Sequence, residues 1–355
     1  MINTFVGNFG HLTTLVAFVS ALVTAFAYSQ YFRANELEKD SWRRFSRVSF
    51  YIHALSTSLI AVSLFEIIYN QRYEYFYAYS HSSKALPVHY MISSFWEGQE
   101  GAFILWAFWN VVLGLILVHT NKFWEAPVMV VFSLVQAFLV SMILGVVIGD
   151  LKIGSSPFIL LRDATQAPIF DLNPDFVPED GTGLNPLLQN IWMVIHPPTL
   201  FLGFALTLVP FAYLIAGLWK NKLTEWIKPA LPWAAFSGAI LGIGITMGAY
   251  WAYETLNFWR ILELGSGRKC LFCSLARFNW RHSYYDCLSK LKCSPKNFHY
   301  FGHLDFYFSP LFYFFKSVWG ARKCLRSLVY RFRPFGPTPN LHVYVFNWGH
   351  NFGGV

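Results

Sequence analysis

Two stretches collect the residue types that can hold a cofactor. The first is HSSKALPVHYMISSFWEGQEGAFILW, residues 81–106. Here Trp96, Glu97, Gly98, Gln99, Glu100 and Gly101 stand immediately before a long apolar run. Glycines let a backbone approach a flat ligand closely, and Trp96 and Trp106 offer aromatic faces. The same pattern also suits an interfacial turn with an aromatic belt and acidic residues at a helix N-terminus. The second stretch is DGTGLNPLLQNIWMVIHPPTLFLGF, residues 180–204. His196 precedes Pro197 and Pro198, which predicts a non-helical pre-proline conformation at the start of a span. A neutral imidazole beside an apolar wall suits an axial iron ligand; a histidine simply satisfied by a hydrogen bond is the alternative. His11 and His53 fall at or inside other apolar runs, where an ionisable side chain is a functional candidate or a partner for a neighbouring helix. There is no Walker loop, GxSxG, HExxH or CxxCH.

The elements that must carry these groups are membrane helices. Of 355 residues, 55% are hydrophobic, 19% aromatic and 13% charged, against roughly 25% charged in soluble domains. Apolar runs at about 10–32, 48–70, 102–119, 126–149, 198–219 and 232–250 each approach the ~20 residues needed to cross ~30 Å of hydrocarbon. The expected fold is an all-α polytopic bundle of about six spans. Residues 1–32 lack a basic leader region and a small-residue cleavage site, so they read as a span rather than a signal peptide. Arg33, Lys39, Arg43, Arg44, Arg47, Lys122, Lys220, Lys222 and Lys228 lie between alternate spans. The intervening long loops hold only Arg72, Lys84, Lys152 and Arg162. That asymmetry places the N-terminus and the loops 71–101 and 150–197 outside the cytoplasmic membrane.

The net charge of +8 conceals a seam. Residues 1–259 carry 13 Lys and Arg against 16 Asp and Glu; residues 260–355 carry 14 against 3. All five cysteines, from Cys270 to Cys324, follow the seam. A zinc module is disfavoured because Cys287 and Cys293 are too far apart and His282, His299 and His303 do not pair at usual spacings. A nucleic-acid tail is disfavoured by the apolar run FHYFGHLDFYFSPLFYFFKSVW at 298–319. The reading adopted is a translation out of frame. With one base removed near Phe258 and free codon choice, FWRILELGSGRKCLFCSLARF can hide FGGYWNWDPVENACFVPWLVL, and two later segments can hide an apolar span and SVHSFTDLGLSGQLL.

The N-terminal GHL span, YSHSSKALPVHYMISSFWEGQEGAFILW, SSPF, LNPLLQN and IHPPTLFLGF occur in order. They resemble the haem-lyase membrane proteins of cytochrome c maturation (CcmF/NrfE type, related to CcsA), over about residues 6–258. That resemblance implies a haem-binding membrane component of cytochrome c biogenesis. Such a protein presents haem for thioether attachment to apocytochrome CxxCH motifs, in the bacterial inner membrane, with haem-handling loops on the periplasmic side. It implies haem b as cofactor. The implied partners are apocytochrome c, other maturation membrane proteins, a haem chaperone and membrane lipid, with no nucleic acid. His196 matches the first outer axial histidine, and Trp96–Gly101 match the outer loop motif beside a tryptophan-rich platform, WxWDPVENA. That platform and the second outer histidine appear only in the hidden frame. Residues 1–258 are therefore expected to form a truncated assembly domain, and 259–355 a tail without a defined domain, leaving lyase activity impaired. A membrane haem transporter or delivery protein, or a non-catalytic scaffold, is the competing class; the absence of internal repeats argues against a transporter.

Overall fold

The computed structural model describes residues 4–256 apart from 121, 150, 166 and 223. The described part is helical: α1 Phe5–Arg33, α2 Glu36–Tyr69, α3 Phe76–His81, α4 Val88–Ser94, α5 Gln99–Thr120 and α6 Glu125–Ser141. A small hairpin follows, β1 Val146–Ile148 and β2 Leu151–Ile153, then α7 Leu161–Ala164, α8 Ile169–Leu172, α9 Ile191–Trp219 and α10 Ile227–Leu256. Val147 pairs with Lys152 across the hairpin, whose turn begins at Gly149 with φ +59°. The all-α expectation holds. The zinc, nucleic-acid and out-of-frame readings of the tail fall outside the described residues.

Five helices, α1, α2, α5, α9 and α10, are long and apolar enough to cross a membrane, so the chain is a multi-pass membrane protein. The expected span at 126–149 is corrected. Its helix stops at Ser141 and the chain turns into the hairpin. Seventeen residues reach about 25 Å, short of the ~30 Å hydrocarbon core. Thirteen of those residues are buried, because α6 sits inside the bundle against α1, α5 and α9. A helix sheathed by other helices need not match the lipid thickness.

Helix α1 shows how the sequence chooses its neighbours. Gly10, Thr13, Thr14, Ala17, Ser20, Ala21, Thr24 and Ala25 are buried on one side, while Leu12, Val16, Val19, Val23 and Phe26 are exposed on the other. Small residues allow close helix approach where water supplies no hydrophobic drive, and the large aliphatics are left for lipid. The turn to α2 is only Ala34 and Asn35, so Lys39, Arg43, Arg44 and Arg47 belong to the first turns of α2 rather than to a loop. With Arg33, Lys220 and Lys222 they mark a basic end of the bundle. There the fully buried Glu125 receives Arg47 at 2.6 and 2.8 Å, with Arg43 at 3.6 Å. The long connections 70–98 and 142–190 gather at the opposite end, hereafter the loop end.

The two long connections are stitched together. Tyr75 bridges to Leu160, Thr182 N–H donates to the Tyr79 carbonyl at 2.8 Å, and Lys84 N–H donates to Asp180 at 2.8 Å. They also grip α1: Gly7 N–H donates to the Tyr75 hydroxyl at 2.9 Å.

Candidate functional site at the loop end

The glycine-rich turn before α5 is built around Tyr77. Its hydroxyl, buried beneath the turn, donates to the Phe95 carbonyl at 2.8 Å and accepts from Gly98 N–H at 3.1 Å. A Cβ on Gly98 would lie 2.5 Å from the Tyr77 ring, and one on Gly101 would lie 1.6 Å from the Phe95 carbonyl oxygen. These glycines therefore admit a tyrosine and a carbonyl of the chain itself. The His81 ring stacks on Tyr77 with centroids 4.4 Å apart, and its Nδ1 lies 2.8 Å from the Tyr77 carbonyl. Burial lowers the His81 pKa, opposed by the Tyr77 carbonyl and the nearby Glu100. Gln99 and Glu100 open α5, half-buried.

Glu97 turns inward from the same loop. Burial pushes its carboxyl up to about 8, against a hydrogen bond from the Asn185 backbone that favours the anion. Its Oε2 is buried and has no hydrogen-bond partner among the described residues. A carboxyl placed this way keeps its proton at neutral pH.

The second stretch meets the first through a proline effect. His196 does not sit in a non-helical pre-proline turn: α9 begins at Ile191, capped by Asn190 through Trp192 N–H at 3.1 Å, and runs through Pro197 and Pro198. Pro197 has no N–H to give the Met193 carbonyl one turn back. The Trp96 indole N–H fills that vacancy at 2.8 Å. In an apolar setting a freed backbone carbonyl must find a donor elsewhere, and neighbouring helices supply it. That compensation lets the helix continue through a residue that ordinarily leaves the α region. The LNPLLQN segment is a supporting turn, with Asn185 Oδ1 accepting from Leu187 N–H at 3.0 Å and Gln189 Nε2 donating to the Leu184 carbonyl at 2.9 Å.

His196 thus lies three residues beyond the Trp96 contact, half-buried, on the side of α9 that faces α10. A Cβ on Gly248 would stand 2.6 Å from His196 Cε1 and 2.8 Å from Nε2. Gly248 therefore leaves a cradle for an imidazole that any other residue would fill. Beside it, Trp192 Nε1 donates to Glu254 at 2.8 Å and the Trp192 ring lies 4.9 Å from Tyr250. The half-buried imidazole thus sits in an aromatic-edged cradle between α9 and α10. The structure joins the two predicted stretches, Trp96 and Glu97 to the α9 entry, and shows partners that sequence reasoning missed: Tyr77, Met193 and Gly248. The missed signal was Pro197, since a proline inside a membrane helix calls for an outside donor.

His11 lies in α1 beside Asn8, Ser156 and Phe158 in a shallow cleft of about 360 Å³. His53 is buried in α2 and bonds the Ala17 carbonyl of α1 at 2.9 Å, as a partner for a neighbouring helix would.

Residues 96–261 match the family model described as cytochrome C assembly protein. The cytochrome c-type biogenesis protein CcmF of Pseudomonas fluorescens is 35% identical over 54% of this chain and 27% of its own length. That of Haemophilus influenzae is 31% identical over 59% of this chain and 31% of its own length. The matched part of the chain thus spans less than a third of these relatives. The solved structure of cytochrome c haem lyase CcmF superposes with a TM-score of 0.64 at 16% identity, covering 82% of this chain and 44% of that one, a likeness of fold. The assembly-family match begins at Trp96 and embraces His196 and the α9–α10 pair, so this part of the chain is similar to the cytochrome c assembly proteins of CcmF type.

Proposed function

We propose that this chain belongs to the haem-handling machinery of cytochrome c biogenesis, and that its loop end, on the outer face of the bacterial inner membrane, carries half of a haem-presenting site. The observation that carries the reading is His196 held against Gly248, with the Trp96–Met193 bond fixing the helical turn before it. His196 would be one axial ligand to haem b, the substrate and cofactor. Haem supplies the vinyl groups, to which the two thiols of an apocytochrome CxxCH add to give thioethers. The protein's part is to bind, orient and shield. Trp96 holds the α9 entry in register, and Glu97 stays uncharged beneath the loop. Apocytochrome c, a haem chaperone and other maturation proteins are the partners of this reading. The charge asymmetry between the basic end and the loop end supports the orientation.

Residues 259–355 are read as out of frame, so the tryptophan-rich platform and the second outer histidine are lost and the chain binds haem weakly. The family match, which ends at residue 261, lends support to a seam at 258. The test is an absorption spectrum of the purified chain in nanodiscs with added haem, beside a version whose frame is restored by removing one base at codon 258. Stoichiometric bis-histidine haem should appear only in the restored form and should vanish with His196→Ala. A stoichiometric signal in the unrestored chain that depends on His196 would overturn the seam. A restored form indifferent to His196→Ala would overturn the site.

A further inference from the structure

Away from the loop end, the centre of the bundle contains polar side chains that no part of the proposed function uses. His53, Thr57, Asn110, Ser133 and Gln136 are all at least nine-tenths buried. Six of their polar atoms have no hydrogen-bond partner among the described residues: His53 Nε2, Thr57 Oγ1, both Asn110 amide atoms, Ser133 Oγ and Gln136 Oε1. Buried polar groups left bare are costly, and natural interiors satisfy nearly all of them with protein or ordered water.

The helix register puts these residues at one depth. The His53 imidazole reaches Ala17 on α1. One turn earlier on α2, Phe50 packs where a Cβ of Gly114 would stand 2.4 Å from its ring. Helices α2 and α5 run antiparallel, so one turn on from Phe50 lies opposite one turn back from Gly114, which pairs the level of His53 with that of Asn110. Gln136 Nε2 donates to the Ala107 carbonyl at 3.0 Å, one turn from Asn110. Ser133 and Thr57 share helix faces with Gln136 and His53 at three- and four-residue spacings. On α5, Asn110 lies angularly between Trp106, which packs on α9, and Gly114, which packs on α2. That direction points at α6, the central helix.

His53 also has a fixed polarity. A carbonyl can only accept, so Nδ1–H donates to Ala17 and the neutral ring presents Nε2 as a bare acceptor. Asn110 offers both a donor and an acceptor, and Ser133 and Thr57 offer both. This complement suits a small molecule that donates and accepts.

We propose that α1, α2, α5 and α6 enclose an internal hydrated site at the centre of the bundle, in which ordered water bridges His53, Thr57, Asn110, Ser133 and Gln136. At about three hydrogen bonds per buried water, the six atoms call for about two waters. The site joins three helices, α2, α5 and α6, through water, and the direct His53–Ala17 bond ties α1 to it.

The test is radiolytic hydroxyl-radical footprinting of the full chain in nanodiscs, with ¹⁸O-labelled water as the probe. Internal water generates radicals in place, so His53 and the adjacent Phe50 should be oxidised several-fold more than Tyr213, which is equally buried but packs against Trp124 at the N-terminal end of α6. Oxidation of His53 and Phe50 at the level of Tyr213 would overturn the proposal. Asn110→Leu supplies a second reading. In a hydrated site it lowers both His53 labelling and the melting temperature. In a dry one it removes an orphaned amide and raises the melting temperature, which would also overturn the proposal. If the variant does not fold, the footprint of the unaltered chain still decides.

Discussion

Glu97 makes the protein's stability depend on pH in a direction opposite to most carboxylates. Its ordinary pKa of 4.5 is raised to about 8 by burial beneath the loop. Below pH 4.5 the carboxyl is protonated folded and unfolded, and no penalty exists. Between 4.5 and 8 the unfolded chain releases the proton while the folded chain keeps it. The folded state then binds more protons, and stability falls as pH rises. Above 8 the carboxylate is charged in both states and the penalty is constant. At about 1.36 kcal/mol per pH unit, the cost is about 3 kcal/mol at pH 7 and about 5 kcal/mol above pH 8.5. Glu97→Gln removes the titration and leaves an amide of nearly the same shape. Denaturant unfolding of both chains in the same detergent from pH 4.5 to 9 checks this. The curves should meet near pH 4.5, with the Gln variant increasingly the more stable at higher pH, by a few kcal/mol. Parallel curves across the whole range would refute the reasoning, because a carboxyl ionising normally in the folded loop gives no divergence.

Glu125→Ala should be severely destabilising, by about 3–5 kcal/mol, since it strips the partner from the Arg47 guanidinium and a second contact from Arg43 at the basic end; a melt of the double variant Glu125→Ala/Arg47→Met should recover much of the loss. Trp96→Phe keeps the ring but withdraws the donor from the Met193 carbonyl, and should cost about 1–3 kcal/mol. Amide exchange in the first turns of α9 should rise in that variant more than in α1, and an unchanged α9 would count against the proline-compensation argument.

Parts of this architecture were legible in the residues alone. Apolar runs of membrane length with charge kept to their ends announce spans, because every backbone group in lipid must be satisfied within a helix. Their limits were not legible. The run at 126–149 looks long enough to cross a membrane, but α6 ends at Ser141, since its buried position frees it from matching the lipid. Basic residues at 39–47 read as loop and proved to be the opening of α2, with Arg47 and Arg43 turned to a buried acid 78 and 82 residues away in sequence.

The candidate site divides in the same way. Trp96, Glu97, Gly98, Gln99, Glu100, Gly101 and His196 stand out by type and spacing, and Pro197 fixes which α9 carbonyl lacks a helical donor. Charge balance and cysteine usage also change together after residue 259. Only the tertiary structure could say that the glycines open onto Tyr77, that the free carbonyl goes to Trp96, and that His196 faces Gly248. A sequence records which groups need partners, because valence and desolvation are properties of the residue. Which partner arrives depends on distances between segments far apart along the chain, and packing alone sets those.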